Sequence, residues 1–197
     1  MNILLIRPKP DRSSIGLQSV MICEPLELMT LATVLRANGH TAVILDMILE
    51  RRPLKHFINK HRPEIVGITG YISHVGVIKK YAAKIKTLSP GIKVCVGGVH
   101  AAVCPEDFDD PNIDYICRAA EDFYRYTGCA DFTPGFPDRN LPKRYTNKYY
   151  YLFQTRCALI KTSFGCPYNC NFCFCKEITH YFARPVGEVV GELLTIP

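Results

Sequence analysis

Short apolar runs and helical-period stretches take turns along the first three-fifths of the chain. Asn2 to Ile6 is a continuous apolar run and predicts a buried first strand. Leu28, Leu31, Ala32 and Leu35 then fall at helical spacing, predicting a helix over Leu26 to Ala37 that stops at an Asn38-Gly39 C-cap. Ala42 to Leu45 predicts a second strand ending at Asp46. Pro53 to His61 predicts a short helix with proline at its start. Ile65 to Thr69 reads as a third strand, and Val75 to Leu88 as a longer helix ended by Pro90-Gly91. Ile92 to Val96 reads as a fourth strand running into Gly97-Gly98. A short helix over Pro105 to Phe108 and a fifth strand over Ile113 to Ile116 complete the series. Strands alternating with helices predict an α/β fold with a parallel, doubly wound sheet. Such sheets bind ligands beyond the carboxyl ends of their strands, near the switch in strand order.

Three predicted strand ends carry suggestive residues. They are Pro8 to Gly16 after the first strand, Thr69-Gly70-Tyr71-Ile72-Ser73 after the third, and Gly97-Gly98-Val99-His100 after the fourth. Glycines there remove side chains, so a flat or bulky ligand can approach the backbone. Farther on the pattern weakens. Phe123 to Thr133 is too short and mixed for a closing helix, and Pro134 to Arg144, with three prolines, reads as a linker. Tyr149-Tyr150-Tyr151 is expected to pack against an incoming domain. Cys157 to Ser163 predicts a further strand, and Arg184 to Ile196 a helix with Val186, Val189, Val190, Leu193 and Leu194 on one face.

Composition narrows the class without choosing a function. At 197 residues, 48% hydrophobic and a mean hydropathy of +0.03, the chain suits a globular protein of one large domain, or of one domain and part of another. No apolar run is long enough to span a bilayer. The apolar run at the N-terminus is too short for a signal-peptide core, so the ten cysteines predict reduced thiols and metal ligation in a cytoplasm. The net charge of +6 is spread over scattered Lys and Arg, which reads as a solvated surface and not a nucleic-acid site.

The densest chemistry is Gly165-Cys166-Pro167-Tyr168-Asn169-Cys170-Asn171-Phe172-Cys173, a C-x3-C-x2-C spacing. One short loop can turn three thiolates toward a point. Iron–sulfur clusters usually take four Cys ligands, so three would leave one iron open to a small molecule. Cys175 and His180 follow closely, and either could complete a tetrahedral zinc site with Cys166, Cys170 and Cys173. Against zinc, there is no second C-x2-C knuckle.

This cysteine loop resembles the signature of the radical S-adenosylmethionine (SAM) enzymes. The resemblance implies a [4Fe–4S] cluster on Cys166, Cys170 and Cys173, SAM on the open iron, and Phe172 against the SAM adenine. Residues 1 to 118 in turn resemble the flavodoxin-like cobalamin-binding domain that precedes the radical SAM domain in a large subfamily. Ala37-Asn38-Gly39-His40 and Pro63-Glu64-Ile65-Val66-Gly67-Ile68 carry much of that likeness. It implies cobalamin contacts at Asp11, Ser13, Gly16, Thr69, Gly70, Gly97 and Gly98. Domains that donate a histidine to cobalt carry D-x-H-x-x-G after the first strand. Here Ser13 takes the histidine position between Asp11 and Gly16, so no protein histidine is expected below the cobalt. Phe136-Pro137-Asp138-Arg139-Asn140-Leu141 resembles the segment leading into a radical SAM domain.

The resulting expectation is a cobalamin-type domain over residues 1–122, a linker over 123–156 and an incomplete radical SAM (β/α) barrel from 157 to 197. Only the first β/α unit of that barrel is present, as in a truncated or split protein. The resemblance implies methyl transfer or cyclisation chemistry. It also implies an electron donor such as flavodoxin or ferredoxin, and a downstream polypeptide completing the barrel. A cobalamin- or cluster-holding remnant without turnover is the alternative.

Overall fold

A computed structural model describes residues 1–11, 17–133 and 135–196. In chain order, the elements begin with β1 (Asn2–Arg7), β2 (Met21–Ile22), α1 (Leu26–Ala37), β3 (Thr41–Asp46) and α2 (Leu54–His61). β4 (Ile65–Thr69), α3 (Val75–Leu88), β5 (Lys93–Gly97), α4 (Val99–Val103), β6 (Tyr115–Ile116) and α5 (Ala120–Tyr126) follow. The remainder holds β7 (Tyr150–Tyr151), β8 (Gln154–Thr155), β9 (Ser163–Phe164), α6 (Cys175–Ile178), β10 (Phe182–Ala183) and α7 (Val186–Leu193).

Five strands form one sheet in the order β3-β1-β4-β5-β6, every pair parallel. This is the flavodoxin-like arrangement, and its order reverses between β1 and β4. Strand side chains alternate between faces, so each strand feeds two cores. Leu4, Ile6, Val66, Ile68, Val94 and Val96 meet Phe57 of α2 and Ile78 and Ile85 of α3 on one side. Ile3, Leu5, Ile65 and Cys95 meet Leu28, Met29 and Leu35 of α1 and Phe123 and Tyr124 of α5 on the other. Each such side chain contributes about 1.5–3 kcal/mol when fully buried. That is the reason the continuous apolar runs form strands covered on both faces.

Two helices keep the bounds their periodicity predicts, α1 and α3. α4 directly after Gly98 and α5 over residues 120–126 have no clear signal in the sequence. Among the described residues no helix is long and apolar enough to cross a membrane.

The chain after α5 folds back onto the sheet. Asn38 at the end of α1 accepts from the backbone N–H groups of Ala130 and Asp131 and donates to Asp131 O. The proline-rich stretch read as a linker is pinned as well: Asp138 N donates to Thr33 Oγ1 at 2.9 Å, and Arg139 is buried. Tyr145 and Tyr149 are each 1% exposed and cover the carboxyl end of β3. Tyr145 Oη donates to Glu50 at 2.7 Å and accepts from Asp46 N at 3.2 Å. Tyr149 Oη donates to Asp46 Oδ2 at 3.3 Å, and Arg7 pairs with the same carboxylate. Tyr149 is therefore packed against the first sheet. Its neighbours Tyr150 and Tyr151 continue into an antiparallel sheet, β2-β7-β8.

The strand expected over Cys157 to Ser163 is not formed except at its end, where β9 pairs antiparallel with β10. Charged side chains take the backbone groups a strand ladder would use. Leu159 N donates to Glu24 at 2.7 Å, Leu159 O accepts from Arg139 at 2.9 Å, and Lys161 O accepts from Arg184 at 2.6 Å. The apolar face expected on α7 also turns outward: Val186 and Leu194 are 79% and 83% exposed. The helix instead buries Glu192, held by Arg139 at 2.5 Å and Arg184 at 2.6 Å. Two buried ion pairs outcompeted the apolar stripe for the one covered face.

Candidate cofactor crevice and cysteine loop

The carboxyl ends of β4 and β5 meet in register, Thr69 opposite Gly97, and Gly70 N donates to Gly97 O at 3.3 Å. Gly98 turns there with φ +98°, a conformation that side chains rarely tolerate. A Cβ on it would stand 2.5 Å from Thr69 Oγ1 and 3.0 Å from the Gly70 backbone. A Cβ on Gly70 would meet His74 at 2.8 Å and Ile78 at 2.9 Å. Thr69, Gly70, Gly97 and Gly98 are thus brought together at one rim of the crevice. The other rim starts where β1 ends, at Arg7 and Pro8. Asp11 lies on that side, 3.9 Å from Lys80 of α3. Ser13 and Gly16 fall outside the described residues.

His100, next along from the glycine pair, is 7% exposed, with its Nε2 bonded to Asp107 at 2.6 Å and its ring edge-on to Phe108. That bond commits Nε2 to a carboxylate, in keeping with a hydrogen-bonding role.

The cysteine loop opens at Gly165, φ +66°, where a Cβ would lie 2.5 Å from His180 O, so the loop's two ends touch across that glycine. Cys173 N donates to Cys170 O at 3.1 Å and closes a turn. Hydrogen bonds from the backbone N–H and thiol of Cys175 hold the Cys173 thiol below the usual thiol range. The bond to Cys173, then burial, then the charges of Cys173, Cys166 and Cys170, push the Cys175 thiol up. The thiols therefore sense one another. Among the described residues, however, no group of three His, Cys, Asp or Glu side chains converges closely enough to hold a metal ion. The donor set has the soft-ligand chemistry of an iron–sulfur or zinc site, and the turn at Cys170–Cys173 fits one, while the sulfurs would have to close in. Phe172 is 88% exposed.

The two regions adjoin. α4, which starts from the Gly98 turn, packs against α6, which carries Cys175. Sequence reasoning placed these loops separately and gave no sign that they meet. The signal for the Glu24–Arg139–Glu192 cluster was also faint: three charged residues far apart in sequence, with no spacing to connect them.

The model of the B12 binding domain matches residues 13–124. A hopanoid C-3 methylase from Methylococcus capsulatus is 25% identical over 205 aligned positions, covering 88% of this chain and 39% of that protein. A radical S-adenosylmethionine methyltransferase, TsrM, from Kitasatospora setae, solved with tryptophan substrate and a SAM analogue, shares the fold over 97% of this chain. The TM-score is 0.58, the identity 19%, and 44% of TsrM is covered. A cobalamin-binding protein from Desulfitobacterium hafniense aligns over 64% of this chain and 56% of its own, at a TM-score of 0.46 and 16% identity. The chain thus spans less than half the length of the methylase and of TsrM. The parallel sheet in flavodoxin order, the glycine rim and the match over residues 13–124 make this chain a member of the B12 binding domain family.

Proposed function

We propose that this chain binds cobalamin at the β1/β4 crevice and a [4Fe–4S] cluster with SAM at the cysteine loop. It would serve radical SAM chemistry of the methyl-transfer or cyclisation class. The observation that carries this is the packing of α4 on α6, which sets the cobalamin-type rim beside the cysteine loop. Gly70, Gly97 and Gly98 carry no side chain where β4 and β5 end, so a corrin or its nucleotide tail can lie against the backbone beside Thr69. Cys166, Cys170 and Cys173 supply three thiolates, and Phe172 offers an exposed ring face for the adenine of SAM. When bound, the cluster supplies one electron for reductive cleavage of SAM, and cobalamin carries the transferable methyl group. Arg139 and Glu192 hold the segment before the loop and the helix after it to the first sheet, fixing the loop's position. A one-electron donor of the flavodoxin or ferredoxin type, a polypeptide supplying further β/α units, and a reducing cytoplasm complete the reading.

A zinc site is the second reading, favoured by the contact between Cys175 and Cys173, which sets a fourth thiol on the loop. One experiment separates the two. After anaerobic reconstitution, iron, sulfide and zinc are measured, and EPR of the reduced protein is recorded with and without SAM. About four irons per chain, with a spectrum that SAM alters, supports the cluster. One zinc per chain and no iron refutes it.

A further inference from the structure

His74 follows Gly70-Tyr71-Ile72-Ser73 and leads into α3. Its Nδ1 receives the backbone N–H of Tyr71 at 3.1 Å, and Ser73 Oγ lies 3.4 Å from the same nitrogen. A backbone N–H only donates, so Nδ1 must carry its lone pair. The proton of the neutral imidazole then sits on Nε2, which makes Nε2 a donor and removes it as a metal ligand. Burial favours that neutral form by pushing the ring's pKa down, and the Arg7 charge acts in the same direction.

The position of the ring gives that donor a use. It stands on Gly70, where any Cβ would meet His74 Cβ at 2.8 Å, and the Arg7 charge is close enough to act on it. Gly70 directly follows β4 and Arg7 ends β1, so the imidazole stands at the crevice where strand order reverses. Half-buried, it offers a polar edge beside an otherwise glycine-lined floor. We infer that His74 is a specificity-determining residue of this crevice, donating from Nε2 to an acceptor oxygen of the bound corrinoid and leaving the cobalt without a histidine ligand. The inference rests on the cobalamin reading above.

Two isosteres separate the ring's nitrogens. In His74→Asn the side-chain amide reaches the Nδ1 position and can still receive the Tyr71 N–H, but the outer donor is gone. In His74→Gln the amide nitrogen reaches the Nε2 position and restores the donor. The full chain and both variants, each checked by thermal melting, are titrated with hydroxocobalamin and with cobinamide, which lacks the nucleotide phosphate. The expected result is about tenfold weaker hydroxocobalamin binding for His74→Asn, the worth of one hydrogen bond, and binding within about twofold of the parent for His74→Gln. If cobinamide shows the same loss, the acceptor is a ring amide; if cobinamide binding is unchanged, it is the phosphate. The reverse order, with Asn tolerated and Gln weak, would mean the ring only braces the Tyr71 turn. A Co(II) EPR nitrogen splitting that shifts on isotopic labelling of histidine and is lost in His74→Asn would make His74 a ligand; either result overturns the inference. Failure of the parent chain to bind hydroxocobalamin would instead sink the cobalamin reading itself.

Discussion

Arg139→Met tests whether a buried cation fixes the cysteine-loop segment to the first sheet. Arg139 Nη1 pairs with Glu24 and donates to Leu159 O, and Nη2 pairs with Glu192 at 2.5 Å. The two carboxylates are 7% and 2% exposed, so removing the guanidinium leaves Glu24 buried with only the Leu159 N–H and Glu192 buried with only Arg184. Breaking such a pair from one side costs about 3–5 kcal/mol. At about 2–4 °C per kcal/mol for a chain of this size, melting should fall by roughly 6–20 °C. The loss should also depend on pH. Burial already raises the Glu24 carboxyl, Glu192 adds to it, and Arg139 and the Leu159 N–H act against them. Without Arg139 it rises further. A raised carboxyl weighs nothing below its ordinary value of 4.5 and lowers stability as pH climbs through its folded value. The deficit should therefore be small near pH 5 and grow toward pH 8, read from circular dichroism melts of the two proteins. A deficit equal at both pH values, or under about 1 kcal/mol, would refute the reasoning, because solvated surface pairs behave that way.

Gly98→Ala should cost about 1–3 kcal/mol through the positive φ and the Thr69 contact. It should also abolish hydroxocobalamin retention, checked by melting and by gel filtration with absorbance; unchanged retention would remove Gly98 from the crevice. Cys166→Ala, Cys170→Ala and Cys173→Ala should each eliminate reconstituted iron, whereas Cys175→Ala should keep most of it; equal loss from Cys175→Ala would mean four cysteine ligands and no open iron. Partial desolvation alone would raise the Asp114 carboxyl, yet bonds from Lys86, Val94 N and Lys93 hold it below its ordinary 3.8. Its contribution is then present above that value and lost as pH falls through the lower folded one. Asp114→Asn should melt lower than the parent at pH 7, by about 1–2 kcal/mol, and converge with it once pH has fallen through the lowered folded value.

The doubly wound sheet was legible because β1, β3, β4 and β5 are buried on both faces, and only continuous apolar runs satisfy that. α1 and α3 were legible at both ends because their periodicity stops at Asn38-Gly39 and before Pro90-Gly91. The glycine rim could be read, since Gly70 and Gly98 stand where strands end. What failed were segments whose partners are charged and remote. Cys157 to Ser163 looks like a strand until Glu24, Arg139 and Arg184 occupy its backbone groups. α7 looks amphipathic until Glu192 takes the covered face. Ion pairs more than fifty residues apart, such as Arg139 with Glu192, leave no period to find. The convergence of the three cysteines was read from spacing, and the structure supplies their turn but not a closed ligand set.

Tyr145 and Tyr149 close the β3 end of the first sheet, and β2 finds its strand partner in β7. This bears on the order of events during synthesis. When residue 122 has left the ribosome, all five strands of the main sheet exist, yet Asp46 lacks both tyrosines and β2 is an unpaired edge. Those positions are filled only once the chain has emerged past Tyr151. A nascent sheet would therefore wait, with a buried-to-be carboxylate and an open strand edge, for nearly thirty further residues, a window in which chaperones or misfolding compete for it.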